Sequence, residues 1–121
     1  MSESQSLGRK GEELATAYLR KTGFRIRHTN WTYGRKEIDI IAENDEFIVF
    51  VEVKTRNESF YTTPASAVNT DKQKSIIYAA EAYLRKYNID RESRFDVITV
   101  VTDGENSELD HIENAFYPTL R

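Results

Sequence analysis

The chain contains no cysteine among its 121 residues, which excludes a disulfide framework and any thiolate zinc site. It also lacks an apolar run long enough for a signal peptide or a membrane span, so a cytoplasmic protein with no membrane partner is expected. His28 and His111 lie too far apart in sequence to suggest a zinc pair, and no Ser/His/Asp arrangement is signalled. There is no internal repeat, low-complexity segment or linker, and the length suits one domain, residues 1–121, with one sizeable core. A large charge of one sign is absent too, the formal net charge being -3. The charge is nevertheless unevenly spread. Up to Arg56 there are ten Lys/Arg against nine Asp/Glu, whereas the remainder has seven against eleven. A local basic face can therefore still meet phosphates, because binding depends on which charges lie near the backbone of the nucleic acid.

The elements follow from periodicity and punctuation. Leu7, Leu14, Ala15, Tyr18 and Leu19 recur at helical spacing between Ser6 and Thr22, and Gly23 is placed to end that helix. Phe24 to His28 alternates as a half-buried strand does and runs into a polar stretch, Thr29 to Arg35. Glu37–Ala42 and Glu46–Arg56 are β-rich runs joined by a turn at Glu43-Asn44-Asp45. Phe60 to Pro64 reads as a loop. A second helix is predicted from a cap at Thr70 or Asp71 through Ile76, Ile77, Ala80, Tyr83 and Leu84 to a stop at Asn88. Phe95–Val101 and Leu109–Phe116 complete the chain as strands around a turn at Asp103-Gly104-Glu105-Asn106. The predicted fold is α/β, a mixed β-sheet flanked by helices in the order αβββαββ.

Within this frame the strand Phe47-Ile48-Val49-Phe50-Val51 continues into Glu52-Val53-Lys54, an acid and a base at the end of a core strand. Strand alternation puts Glu52 and Lys54 on one face, and likewise Glu37 and Asp39 on the preceding strand. A turn centred on Asp45-Glu46 places Asp39 opposite Glu52. One centred on Asn44-Asp45 places Glu37 there, with Asp39 a diagonal step away. In either register carboxylates crowd around one ammonium, and a hard divalent cation relieves their repulsion. Magnesium takes one or two carboxylates plus water and phosphate, and the backbone carbonyl of Val53 is a further candidate ligand. Lys54 adds a positive group able to orient water or steady charge on phosphate, a combination suited to phosphodiester hydrolysis. An isolated acid-x-lysine is more often an exposed pair on an edge strand. Here Asp39 at hairpin distance and the apolar flanks favour a site.

The ordered segments GRKGEELATAYLRKTGF, EIDIIA, FVEVKTR, AVNTDKQKSIIYAAEAYL, RFDVITV and IENAFYP resemble the YraN family of small bacterial proteins. That family is placed among restriction-endonuclease-like, PD-(D/E)XK nucleases and is similar to archaeal Holliday-junction resolvases. The resemblance implies Asp39 and Glu52 as metal ligands, Lys54 as the catalytic lysine and Glu12 as the helix glutamate that completes the acidic cluster, with Glu13 as its alternate. Lys72 and Gln73 match a polar position near the site. Apart from the resemblance, Glu37 is open to three readings, a metal ligand, an acid supporting the ligands or a surface acid, of which the second is favoured. Two positions depart from the family pattern: Lys36 and Tyr61 stand where glycine is usual.

The expected activity is a DNA endonuclease using Mg2+ or Mn2+ and selecting a branch, junction or flap. The rivals are a non-catalytic nucleic-acid-binding or protein-partner module on the same fold, and an RNA nuclease. Arg9, Lys10, Arg35, Lys36, Arg56, Lys72 and Lys74 are candidates for phosphate contact, each individually an ordinary solvated charge otherwise. Trp31, Tyr33, Phe60 and Tyr61 are candidates for base stacking, though aromatics more often pack. Asp96 resembles a family position but lies in a β-rich strand, where a structural role is open to it, and it is left out of the catalytic set. A homodimer would suit a two-stranded substrate.

Overall fold

A computed structural model describes residues 3–57, 68–103 and 105–118, with side chains described from residue 7 onward. Its elements run α1 (Glu3–Lys21), β1 (Arg25–Tyr33), β2 (Lys36–Glu43), β3 (Phe47–Asn57), α2 (Thr70–Lys86), β4 (Glu92–Thr102) and β5 (Ser107–Phe116). The order αβββαββ is the one predicted. The strands form a single five-stranded sheet in the spatial order β1-β2-β3-β4-β5, antiparallel except for the β3–β4 pair.

The parallel pair explains the longest apolar runs. Parallel strands need a crossover, here α2, and central strands covered on both faces cannot alternate with polar residues. Phe47–Val51 and Phe95–Val100 accordingly divide between two cores. On one face Ile48, Phe50, Phe95 and Val97 pack with Ile76, Ala79, Ala80 and Tyr83 of α2. On the other, Val49, Val51, Ile98 and Val100 pack with Ala15 and Leu19 of α1. Each fully buried aliphatic side chain contributes about 1.5–3 kcal/mol relative to exposure.

Several boundaries differ from expectation for local reasons. β1 extends through the polar stretch to Tyr33, because an edge strand can expose Thr29, Asn30 and Thr32 while its backbone pairs with β2. The cap of α2 is Asn69, not Thr70 or Asp71: its side chain accepts from the Lys72 N–H at 2.8 Å. Asn88, expected as the stop, follows the C-cap Tyr87 and adopts φ 53°, a left-handed conformation that asparagine tolerates. Phe60 to Pro64, and Tyr61 with it, lie outside the described residues.

The β2–β3 hairpin selects one of the two possible registers. Asn44 N–H donates to the Phe47 carbonyl at 3.0 Å, and the Asn44 side chain accepts from the N–H groups of Glu46 and Phe47 at 2.9 and 2.8 Å. The turn is thus centred on Asp45-Glu46. Pairing runs from Glu43–Ile48 to Ile40–Val51, the register that puts Asp39 opposite Glu52.

Candidate active site

Asp39 stands where both of its strand's pairings lapse. On the β1 side Thr29 pairs with Ile40 and Trp31 with Ile38, but Asn30, left-handed at φ 51°, and Asp39 are skipped. On the β3 side pairing stops at Ile40–Val51. The alternation of β2 breaks at the same point, since Ile38 and Ile41 join the core under α2 whereas Ile40 and Ala42 join the core under α1. Sequence periodicity alone predicted strict alternation. The interrupted backbone finds a side-chain partner instead: Val53 N–H donates to Asp39 Oδ2 at 2.8 Å.

Glu52 lies at the end of the buried part of β3 and is 5% exposed. Its Oε2 has Lys54 Nζ and Lys72 Nζ each at 3.8 Å, one ammonium from its own strand and the other from the first turn of α2. Its Oε1 is buried with no hydrogen-bond partner. Burial, and then the charge of Asp39, push the Glu52 carboxyl up to about 7 against the pull of Lys72 and Lys54. Asp39 is raised as well, by burial, although the Val53 N–H, Lys72, a hydrogen bond from the Glu52 carboxyl and Lys54 favour its charged form; the same bond helps to hold the proton on Glu52.

Glu12 faces this pair from α1. Burial raises its carboxyl, the charges of Asp39 and Glu37 add to the rise, and a hydrogen bond from the Asn30 side chain opposes it. Of the two adjacent helix acids, Glu12 is therefore the one that feels Asp39, while Glu13 is exposed. Both border a cavity of about 330 Å3 with Arg9, Arg20, Thr29 and Asn30. α1 approaches closely here because residue 11 is glycine: a Cβ added to Gly11 would overlap Thr55 of β3. No three His, Cys, Asp or Glu side chains group to hold a metal among the described residues, so the acidic triplet expected from Glu12, Asp39 and Glu52 is a carboxylate pair with a glutamate beside it.

A protein-family model described as "Uncharacterised protein family UPF0102" matches residues 11–100. The chain belongs to the UPF0102 family. Relatives extend the match over nearly its whole length. A UPF0102 protein of Bacteroides thetaiotaomicron is 45% identical over 120 residues, covering 99% of each chain. One of Parabacteroides distasonis is 45% identical over 121 residues and covers 100% of both. One of Porphyromonas gingivalis is 45% identical over 118 residues, 96% of this chain and 87% of the relative.

In this UPF0102 chain the remaining predicted residues fall into separate groups. Gln73 is turned to its own loop, donating its amide to the Val68 carbonyl at 3.0 Å, whereas Lys72 joins the carboxylate pair. Lys36 and Lys74 meet at a second cavity together with Asp71, Ser75 and Tyr78. Arg35 is exposed in the β1–β2 turn, Arg56 is half-buried near the end of β3, and Lys10 is half-buried on α1.

Asp96 is a structural anchor. It is fully buried, and the Arg94 guanidinium donates to both its oxygens at 3.0 and 2.9 Å. His111 Nε2 lies 2.7 Å away, and the Asn114 N–H donates at 3.0 Å. Burial alone would raise its carboxyl, yet these partners hold it below its ordinary value. The chain continues from His111 Nδ1 to the Tyr18 hydroxyl at 2.9 Å, pinning β5 and β4 to α1. Sequence spacing gave no sign of the His111 link, because its partners are 15 and 93 residues away.

Proposed function

We propose that this UPF0102 chain is a metal-dependent nuclease that hydrolyses phosphodiester bonds in DNA. The observation that carries this reading is the state of Glu52: a buried carboxylate with one oxygen between two ammonium groups and the other without any partner, next to a second carboxylate. A buried oxygen lacking a hydrogen bond is costly, about 1–3 kcal/mol and more when charged. Two facing carboxylates add repulsion.

The donor set fits Mg2+ or Mn2+. Asp39 and Glu52 supply hard oxygen ligands in the small number that magnesium accepts, and the Val53 carbonyl is the further candidate. When bound, such an ion polarises phosphate oxygens and acidifies water. Lys54 holds a fixed positive charge beside Glu52, where it orients a water and steadies charge gathering on phosphate, and Lys72 supports the same end of the carboxylate. Glu12 adds a third acid from the helix side, its own carboxyl raised in part by the charge of Asp39. The resemblance to PD-(D/E)XK nucleases and archaeal resolvases supports the same roles, and it favours a branch, junction or flap over a base sequence as the feature selected.

The test is cleavage of labelled four-way junction, flap, single-stranded and linear duplex DNA in magnesium and in manganese. The natural protein should cut at least one of them, and Glu52→Gln should abolish the cutting. A natural protein that cuts no DNA under any condition would overturn the reading in favour of a binding module or an RNA substrate.

A further inference from the structure

A surface apart from the carboxylate pair is built from exposed aromatic rings and lysines. Tyr33 and Tyr78 are 41% and 54% exposed, two of three large exposed hydrophobic side chains among the described residues. They lie against each other with ring centroids 5.9 Å apart. Rings left in water at that density need an explanation that core packing does not supply.

Their placement is supported from beneath. Trp31 stacks on Tyr33 at 6.2 Å with the planes only 7° apart, and meets the buried Tyr83 ring edge-on at 5.0 Å. The ring series therefore runs from the core to the surface. Lys36 Nζ stands 5.3 Å from the Tyr78 ring centroid. Lys36, Lys74, Ser75 and Tyr78, with Asp71 as the one acid, border a cavity of about 420 Å3.

Exposed π-faces beside ammonium groups match the two repeating parts of a single nucleic-acid strand, bases that stack and phosphates that attract cations. In a duplex the base faces are already covered by their neighbours. Position along β2 links this surface to the carboxylates: Lys36 and Asp39 are three residues apart, about 10 Å of strand, or about three stacked nucleotides at roughly 3.4 Å each. We propose that Tyr33, Tyr78 and Lys36 bind unpaired nucleotides of a single strand that leads to Asp39 and Glu52. The destination of that strand rests on the nuclease reading; the binding of unpaired bases does not.

Binding is measured in EDTA, where no cleavage occurs, by anisotropy of labelled oligothymidylate and of a blunt duplex hairpin. The variants are Tyr33→Leu/Tyr78→Leu, which keeps apolar bulk but removes both rings, and Lys36→Gln. The double leucine variant should bind oligothymidylate at least about tenfold more weakly, as expected when base stacking is lost, with duplex binding unchanged. Trp31 is the single tryptophan, so oligothymidylate should also alter its fluorescence in the natural protein. Lys36→Gln should weaken single-strand binding chiefly at low salt. Equal single-strand affinity in the natural and double leucine proteins would overturn the proposal. So would a natural protein that binds no single strand, including one whose Tyr33–Tyr78 face instead joins two copies in sedimentation experiments.

Cleavage by the same variants separates the two readings. If the double leucine variant loses single-strand binding and the natural protein still cuts nothing, the platform stands and the nuclease fails. If it cuts and binds as the natural protein does, the platform fails and the nuclease stands.

Discussion

Glu52→Gln should stabilise the folded protein at neutral pH in the absence of divalent cations. The ordinary value for this carboxyl is 4.5, and in the folded protein it is raised to about 7. Between these two values the folded chain holds a proton that the unfolded chain has released, so stability falls as pH rises through the window and stays low above it. Below the window both states are protonated and the penalty is absent. Each pK unit corresponds to 1.36 kcal/mol, which makes the full effect about 3 kcal/mol. Glutamine keeps the shape and cannot ionise, and its curve should lack the fall. Urea unfolding followed by circular dichroism, in EDTA, should give the variant near-equal stability to the natural protein at about pH 4.5 and an advantage of about 2–3 kcal/mol at about pH 8. In a thermal melt that advantage corresponds to roughly 10 °C. Magnesium should then stabilise the natural protein and not the variant, by about 2.7 kcal/mol at a concentration one hundred times the dissociation constant. Parallel pH curves for the two proteins, or a variant less stable at pH 8, would show that Lys54 and Lys72 already neutralise Glu52 and would refute the picture of a carboxylate awaiting a cation.

Lys54→Met should reduce cleavage by about 100-fold or more while leaving DNA binding in EDTA little changed, because the ammonium is needed where charge develops; Lys72→Met, measured in the same cleavage assay, should cost less. Asp96→Asn should destabilise by about 3 kcal/mol in urea unfolding, because it leaves the buried Arg94 guanidinium with only the exposed Glu113 carboxylate, 3.8 Å away, as its paired counter-charge. Since Asp96 is held below its ordinary 3.8, its contribution is present above that value and is lost as pH falls through the folded value, so the natural protein should show a steeper acid transition than the variant. Gly11→Ala should destabilise by about 1–3 kcal/mol through overlap with Thr55, and Gly11→Ala/Thr55→Ala should recover most of that loss in the same unfolding assay.

The order of elements was legible because it is written locally. Helical spacing in α1 and α2, and the continuous apolar runs of β3 and β4, each follow from the face an element must bury. The placement of Asp39 opposite Glu52 was legible to within two registers, and the choice rested on an asparagine side chain folding back over its own turn. What could not be read depends on contacts between distant segments. Asn30 sits in a polar stretch that gives no hint of a left-handed kink beside Asp39. Tyr78 has the spacing of an ordinary helix residue, and only the fold sets it against Tyr33 and Lys36. Lys72 was placed near the site by resemblance alone, and its approach to Glu52 depends on where the crossover helix begins.

Two buried carboxylates on adjacent strands of one sheet show opposite treatment, and the comparison bears on what Glu52 is for. Asp96 on β4 receives donors from the Arg94 guanidinium at both oxygens, from the Asn114 backbone and from the His111 ring position, and its carboxyl is held low. This sheet can therefore satisfy a buried acid with its own side chains. Glu52 on β3, 5% exposed, is raised to about 7 and keeps one oxygen unpartnered. Simple burial at the end of a core strand would predict the same remedy at both places. The difference lies in what surrounds each acid: Asp96 is closed over by β5 and α1 contacts, whereas Glu52 meets a second carboxylate at the point where β2 stops pairing. A fold that needed only stability at this position would gain by making it apolar or neutral, as Val51 and Val97 already are beside it. The retained cost is of the kind seen where a carboxylate must remain free to take a cation, and that is the property the proposed metal-dependent hydrolysis requires.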